Sequence, residues 1–231
     1  MAGNAADPLK FKVRYTNVYL IRGSDGYLMV DTGPRTEISY IMKQLERHGV
    51  RPEDVKFVLL THHHHDHAGN LAAVMANLPR ARLVVHRKEV DYISRGKMKL
   101  PHGRNLCLKI AIALGRLLRF DYEPYVPTDD DIVLDTPEFD LSDYGFDWRV
   151  IHTPGHTSGS ISIVSGEDAI VGDLVMDRKD WCGSSPLPAF LESMDETMAS
   201  WRKLLGLGVK RFWPSHGSVL PHTKLKKHID T

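Results

Sequence analysis

Apolar and polar positions alternate along the chain with two distinct periods, and these mark strands and helices in turn. Residues 11–22 and 27–31 are two β-rich runs, and Gly23-Ser24-Asp25-Gly26 between them is a hairpin signal. Ile38, Ile41, Met42 and Leu45 then recur at i, i+3, i+4 and i+7, an amphipathic helix stopped by Gly49. Residues 55–60 are apolar and β-branched and predict a buried strand, after which Ala68, Leu71, Ala72 and Met75 recur at helical spacing. Residues 82–86 predict a strand and 88–94 a short helix. His86, within that strand, reads as structural.

The second half repeats the pattern after a longer interval. Between His67 and His156 lie 88 residues, more than a strand-helix-strand alternation requires. Within residues 95–128, Leu106, Ile110, Ala113, Leu114, Leu117 and Leu118 line one helical face. This insertion packs on the core or on a second copy in a homodimer, or else caps an apolar substrate pocket with Tyr122 and Tyr125 near its exit. Four further strands are predicted at 132–134, 146–151, 160–164 and 169–171, the last two joined by the Ser165-Gly166-Glu167-Asp168 turn. Residues 174–190 are rich in Gly, Ser and Pro and predict an irregular loop that could line a cleft. Ser193-Met194-Asp195-Glu196 is a capping box, and Met194, Thr197, Met198, Trp201, Leu204 and Leu205 mark one face of the helix it opens, with Trp201 assigned to the core. Residues 209–213 read as the final strand, and 222–231, with three lysines, as a solvated end. Strands followed by helices in both halves predict an α/β fold with helices outside. No linker or short repeat divides the chain, so residues 1–231 are read as one domain.

Candidate chemistry falls at the strand ends. Thr61-His62-His63-His64-His65-Asp66-His67-Ala68-Gly69 follows the 55–60 strand and contains the pattern His-x-His-x-Asp-His. In extended backbone alternate side chains face the same way, so His62 and His64 can point at one cation, and Asp66 and His67, past the bend, at a second. Imidazole nitrogen and carboxylate oxygen suit Zn, and also Fe and Mn. Three later strands also end in donors: His152-Thr153-Pro154-Gly155-His156-Thr157, Gly172-Asp173 and Pro214-Ser215-His216-Gly217.

This combination, with Val30-Asp31-Thr32-Gly33 as an early turn, resembles the metallo-β-lactamase superfamily from about residue 15 to residue 220. The resemblance implies an αββα sandwich of two mixed β-sheets flanked by helices, with metals at one edge. It implies His62, His64 and His156 as one metal site, Asp66, His67 and His216 as a second, and Asp173 bridging both. Asp31 would orient the cluster without touching metal. Two divalent cations are then expected, Zn2+ first with Fe or Mn acceptable, activating a shared water as hydroxide toward a carbonyl or phosphoryl group. Asp66 is the candidate to accept or relay the proton.

Composition narrows the partners. The 231 residues, 42% of them hydrophobic, suffice for a substantial core. Thirty Lys plus Arg against 29 Asp plus Glu leave a formal charge of +1, which argues against a nucleic-acid groove or a basic membrane surface and leaves a small-molecule substrate. No secretory signal or apolar stretch of about 20 residues is evident, and Cys107 and Cys182 read as free thiols, so a cytoplasmic location is expected. The ligand set resembles glyoxalase II thioesterases, acyl-homoserine lactonases and phosphodiesterase relatives alike. Only 15 residues follow His216, too few for the glutathione-binding domain of glyoxalase II. Asp173 stands where true β-lactamases lack a bridging aspartate, and no tRNA-binding arm is evident. The apolar insertion favours an ester, thioester or lactone with a greasy portion. Rival readings are a phosphodiesterase, a mononuclear Fe(II) sulfur dioxygenase using only His62, His64 and His156, and a non-catalytic ligand sensor. Flavodiiron oxidoreductases carry a glutamate where His64 stands.

Overall fold

The computed structural model describes residues 7–99, 102–103, 121–177, 179–180, 183–184 and 186–229. Among them, β1 (Leu9–Val13), β2 (Thr16–Gly23), β3 (Gly26–Val30), β4 (Val55–Leu59), β5 (Arg82–His86) and β7 (Ile132–Leu134) form a six-stranded sheet in that order. β3, β4, β5 and β7 are parallel, and β1 and β2 pair antiparallel at the edge. The second six-stranded sheet runs β16 (Leu220–Pro221), β15 (Arg211–Pro214), β11 (Asp168–Gly172), β10 (Ile161–Ser165), β9 (Arg149–His152), β8 (Glu138–Asp140). Only β11 and β15 pair in parallel there. Two-residue strands pair β6 (His102–Gly103) with β14 (Phe190–Leu191), and β12 (Lys179–Asp180) with β13 (Gly183–Ser184).

Strand alternation builds the layers. Val18 and Leu20 of β2 pack outward with Ile41 and Leu45 of α1 (Ile38–Arg47), Leu71 and Val74 of α3 (Leu71–Asn77) and Ile93 of α4 (Arg87–Arg95). The intervening Tyr19 and Ile21 face the other way, with Leu28, Phe57 and Leu59, against Val150, Ile161, Ile163, Ile170 and Trp213 of the second sheet. Ile151, Val171 and Phe212 point to that sheet's far side, under Trp201 and Leu204 of α5 (Met194–Gly206) and Leu225 of α6 (His222–Ile229). Both faces of each sheet are therefore buried, and the strands read as nearly continuous apolar runs. The result is two mixed β-sheets face to face, flanked by helices.

Several local expectations change. The 11–22 run is two strands, because the backbone reverses at Arg14, whose φ is 56°, with Val13 paired to Thr16; no Gly or Asn marks that turn in the sequence. The helix after β4 divides into α2 (His65–Ala68) and α3, because Asn70 is drawn into the 32–36 turn: its amide donates to Thr32 O (2.9 Å) and Pro34 O (2.7 Å), and its Oδ1 accepts from Thr36 N (2.9 Å). The 146–151 strand starts only at Arg149, because the preceding backbone turns on itself, Phe146 N–H donating to Leu141 O (3.1 Å) and Trp148 N–H to Phe146 O (2.8 Å). β15 is not the last strand, and the lysine-rich tail is helix α6, anchored by the fully buried Leu225. Most of the 95–128 insertion, including residues 106–118, lies outside the described residues, as do Cys107 and Cys182. Of the tyrosines in that stretch, Tyr122 OH donates to His63 O (2.7 Å) and Tyr125 OH to Asp131 Oδ2 (2.9 Å). Among the described residues no helix is long and apolar enough to cross a membrane.

Candidate metal centre

Five loops at the carboxyl ends of β3, β4, β9, β11 and β15 meet at one edge of the sandwich. They carry Asp31, the 61–67 stretch, His156, Asp173 and His216. All of the predicted site residues converge there, in two groups: His62, His64 and His156, and Asp66, His67, Asp173 and His216. Within each group the candidate donor atoms lie within 4.8 Å of one another.

In the first group His62 Nε2 lies 3.1 Å from His64 Nδ1 and from His156 Nε2, and His156 Nε2 lies 2.9 Å from His64 Nδ1. The far side of two rings fixes what these atoms are. The carbonyl of Phe190 can only accept, so His156 Nδ1–H donates to it (2.8 Å). Thr61 Oγ1 donates to Asp31 (2.9 Å) and so accepts from His62 Nδ1 (3.1 Å). In their neutral forms His62 and His156 therefore aim bare lone pairs at each other across 3.1 Å. Burial, reinforced by neighbouring imidazoles, holds His62 and His64 well below the usual imidazole range, and burial also lowers His156. Neutral rings whose lone pairs converge, away from water, repel each other until a cation lies between them.

The second group is anionic. His67 Nε2 faces Asp173 Oδ1 at 3.4 Å, and both atoms are buried with no hydrogen-bond partner among the described residues. Asp31 Oδ2 accepts from His67 Nδ1–H (2.7 Å), leaving Nε2 as a lone pair in the neutral ring. His216 Nε2 lies 3.1 Å from Asp66 Oδ2 and 3.5 Å from Asp173 Oδ1. Burial opposes charge on His67 and His216, but Asp173 and the other carboxylates overcome it and raise both rings above their ordinary range. The cluster draws in positive charge, which protons or a divalent cation can supply. The other oxygen of Asp173, Oδ2, lies 3.8 Å from His156 Nε2, so this one carboxylate faces both groups. The donor sets suit Zn, Fe or Mn.

Asp31 supports this arrangement from behind. Its φ is 62°, which for a residue other than glycine costs about 1 kcal/mol. Its oxygens accept from Thr61 N (2.8 Å), Thr61 Oγ1, His67 and Ser215 Oγ (3.2 Å). Asn17 braces the last loop, its amide donating to Pro214 O (3.0 Å) and Gly217 O (2.9 Å) on either side of His216. Sequence reasoning picked out no residue at the rim. There Tyr15, 45% exposed, stacks on His216 (ring centroids 5.9 Å apart) with its hydroxyl 3.3 Å from His65 Nε2. It also passed over Glu89, which is buried against the first loop. A glutamate in a helical first turn carries no signal of such a contact.

A family model described as the metallo-β-lactamase superfamily matches residues 11–216. The chain is 30% identical over 206 residues to a probable metallo-hydrolase of Methanocaldococcus jannaschii, covering 88% of each. It is 24% identical over 227 residues to a β-lactamase-like protein 2 homolog of Drosophila melanogaster, covering 97% of this chain but only 66% of that one, just under two thirds. A hydroxyacylglutathione hydrolase of Aeromonas hydrophila is 28% identical over 156 residues, covering 68% of this chain and 45% of that one. Among solved structures, an archaeal superfamily protein of Sulfolobus tokodaii superposes with a TM-score of 0.64 at 21% identity, covering 94% and 79% of the two chains. A protein crystallised in a di-iron-bound form gives 0.65 at 22%, covering 95% and 96%. By its family match, its relatives and its fold, this chain belongs to the metallo-β-lactamase superfamily.

Proposed function

We propose that the chain is a binuclear metal-dependent hydrolase acting on an ester, thioester or lactone. The observation that carries the reading is the pair of converging donor groups with Asp173 turned toward both. His62, His64 and His156 would hold one cation, Asp66, His67 and His216 the other, with Asp173 shared. Bound there, two divalent cations supply Lewis acidity and a water acidic enough to ionise near neutral pH. The protein's part is orientation and charge. Asp66 and Asp173 offset part of the cations' charge, and the Asp31–His67 and Phe190–His156 hydrogen bonds fix two rings with their Nε2 lone pairs inward. Asp66 is the most open of the second group, its side chain 16% exposed against 0–4% for His67, Asp173 and His216. With metal bound, Asp66 would be the group placed to accept or relay a proton at its carboxylate. The acyl class is supported by the similarity to a hydroxyacylglutathione hydrolase, and two-metal loading by the structural neighbour in di-iron-bound form.

Metal content per chain, measured by elemental mass spectrometry on protein made without a histidine tag, tests this. About two equivalents are expected, with Asp173→Asn loosening both and His216→Ala chiefly one. Hydrolysis within an ester, thioester, lactone and phosphodiester panel then assigns the substrate class. A single iron per chain with O₂ uptake on a persulfide would overturn the hydrolase reading.

A further inference from the structure

We propose that Glu89 is a positioning residue for the first donor group, spanning with its two carboxylate oxygens the two loops that carry His62, His64 and His156. Glu89 lies in the first turn of α4 and is fully buried. Oε2 accepts from the backbone N–H of His63 (2.8 Å) and contacts His63 Nδ1. Oε1 accepts from Thr157 Oγ1 (2.8 Å). His63 lies between two of the donor histidines and Thr157 directly follows the third. One oxygen thus holds each loop.

His63 transmits this contact without taking part in the cluster. Lys99 N–H, which can only donate, points at His63 Nε2 (3.1 Å), so Nε2 accepts there and Nδ1–H donates to Glu89. Its carbonyl accepts from Tyr122 OH (2.7 Å), and its ring stacks on Tyr92 with centroids 4.1 Å apart. Backbone and ring are held on every side, which fixes the opposite-facing side chains of His62 and His64. On the second loop Thr157 is held by Ser160 as well as Glu89 (Oγ–Oγ1, 2.8 Å), and a Cβ on Gly159 would collide with Glu89 Oε1. The loop therefore rests directly on the carboxylate. The spacing of 2.9–3.1 Å among three nitrogens from two loops depends on what joins those loops, and this is a direct side-chain bridge between them. Asp31 does the corresponding work for His67 in the second group.

The inference rests on the metal reading above, and its test separates the two. Glu89→Gln, Thr157→Val, the double variant and Thr157→Ser are compared with the parent and with Arg95→Ala, which breaks only an exposed pair with Asp91 on the same helix. In chelator competition, Glu89→Gln and Thr157→Val are expected to weaken one of the two metal equivalents about 10–100-fold and to leave the other unchanged. Their effects should be markedly non-additive in the double variant, and Thr157→Ser should restore parent affinity. Should Glu89→Gln fail to fold, Thr157→Val alone decides. Two equivalents of unaltered affinity in these variants, or equal loss of both metals along with a collapse in Tm, would overturn the proposal. If the parent itself binds no metal, the hydrolase reading falls, and the bridge is then judged from crystal structures. A His62–His156 Nε2 separation in Thr157→Val clearly longer than the parent's supports it, and an unchanged separation overturns it.

Discussion

Asp31 shows how much of the site depends on single atoms. It spends backbone strain to aim a buried carboxylate at donors from two other segments: Thr61 and His67 in the stretch after β4, and Ser215 after β15. Removing it leaves several buried donors without an acceptor, each worth about 1–3 kcal/mol. It also places a β-carbon residue with no polar side chain at positive φ. Asp31→Ala is expected to destabilise the fold by about 3–5 kcal/mol in urea unfolding. Asp31→Asn should cost distinctly less, because Asn tolerates positive φ and keeps one acceptor oxygen. Equal losses for the two would show that charge, not acceptor geometry, is what matters. Glu89 and Asp31 are alike in this respect. Each is a buried acid outside the two donor groups that orients the residues within them.

At the scale of elements, α4 links the metal edge to the fold's interior. His86 ends β5 and caps α4, its Nδ1 accepting from Lys88 N (3.2 Å), while its ring stacks on His152 with centroids 4.1 Å apart. Burial, then the neighbouring His152 and Lys88, push its pKa down to about 4, against weaker upward pulls from Glu89 and Asp135. The unfolded chain takes up this proton near 6.5 and the folded chain only near 4. Across that window the unfolded state binds more protons, so this group removes stability as pH falls from 6.5 to 4. His86→Asn, which keeps a cap acceptor, is expected to flatten that part of the Tm-against-pH curve, measured in excess chelator for both proteins. Parallel curves would show that His86 is not the group responsible. The sequence reading of His86 as structural agrees with its role as a cap.

At the scale of the molecule, the layer between the sheets is common property. Tyr19, Leu28 and Leu59 from one half interlock with Ile163, Ile170 and Trp213 from the other, and β2 is tied to the second half by Tyr19 OH donating to Pro214 O (2.6 Å). All four tryptophans lie between residues 148 and 213. Leu28→Ala, a cavity in the first half costing about 2–5 kcal/mol, should therefore shift the tryptophan-fluorescence and far-UV unfolding transitions together. Separate midpoints would show two units and count against reading residues 1–231 as one domain.

By itself the sequence determined the order and type of most elements, the outward placement of helices and the identity of the candidate donors. Those features rest on local physics: side-chain periodicity, turn chemistry, and the short set of residue types that can bind a cation at the end of a strand. The structure alone decided the turn at Arg14, the break at Asn70 and the anchoring of α6 by Leu225. It alone showed that Glu89 supports the histidines, and which donors are held by Asp31, whose orienting role the sequence had already suggested. Glu89 and Thr157 are 68 positions apart, and Asp31 and Ser215 are 184 apart. Such pairs have no period and no motif. They meet because two sheets, each buried on both faces, bring their carboxyl-end loops to one edge, and which side chains touch there depends on the packing between the layers.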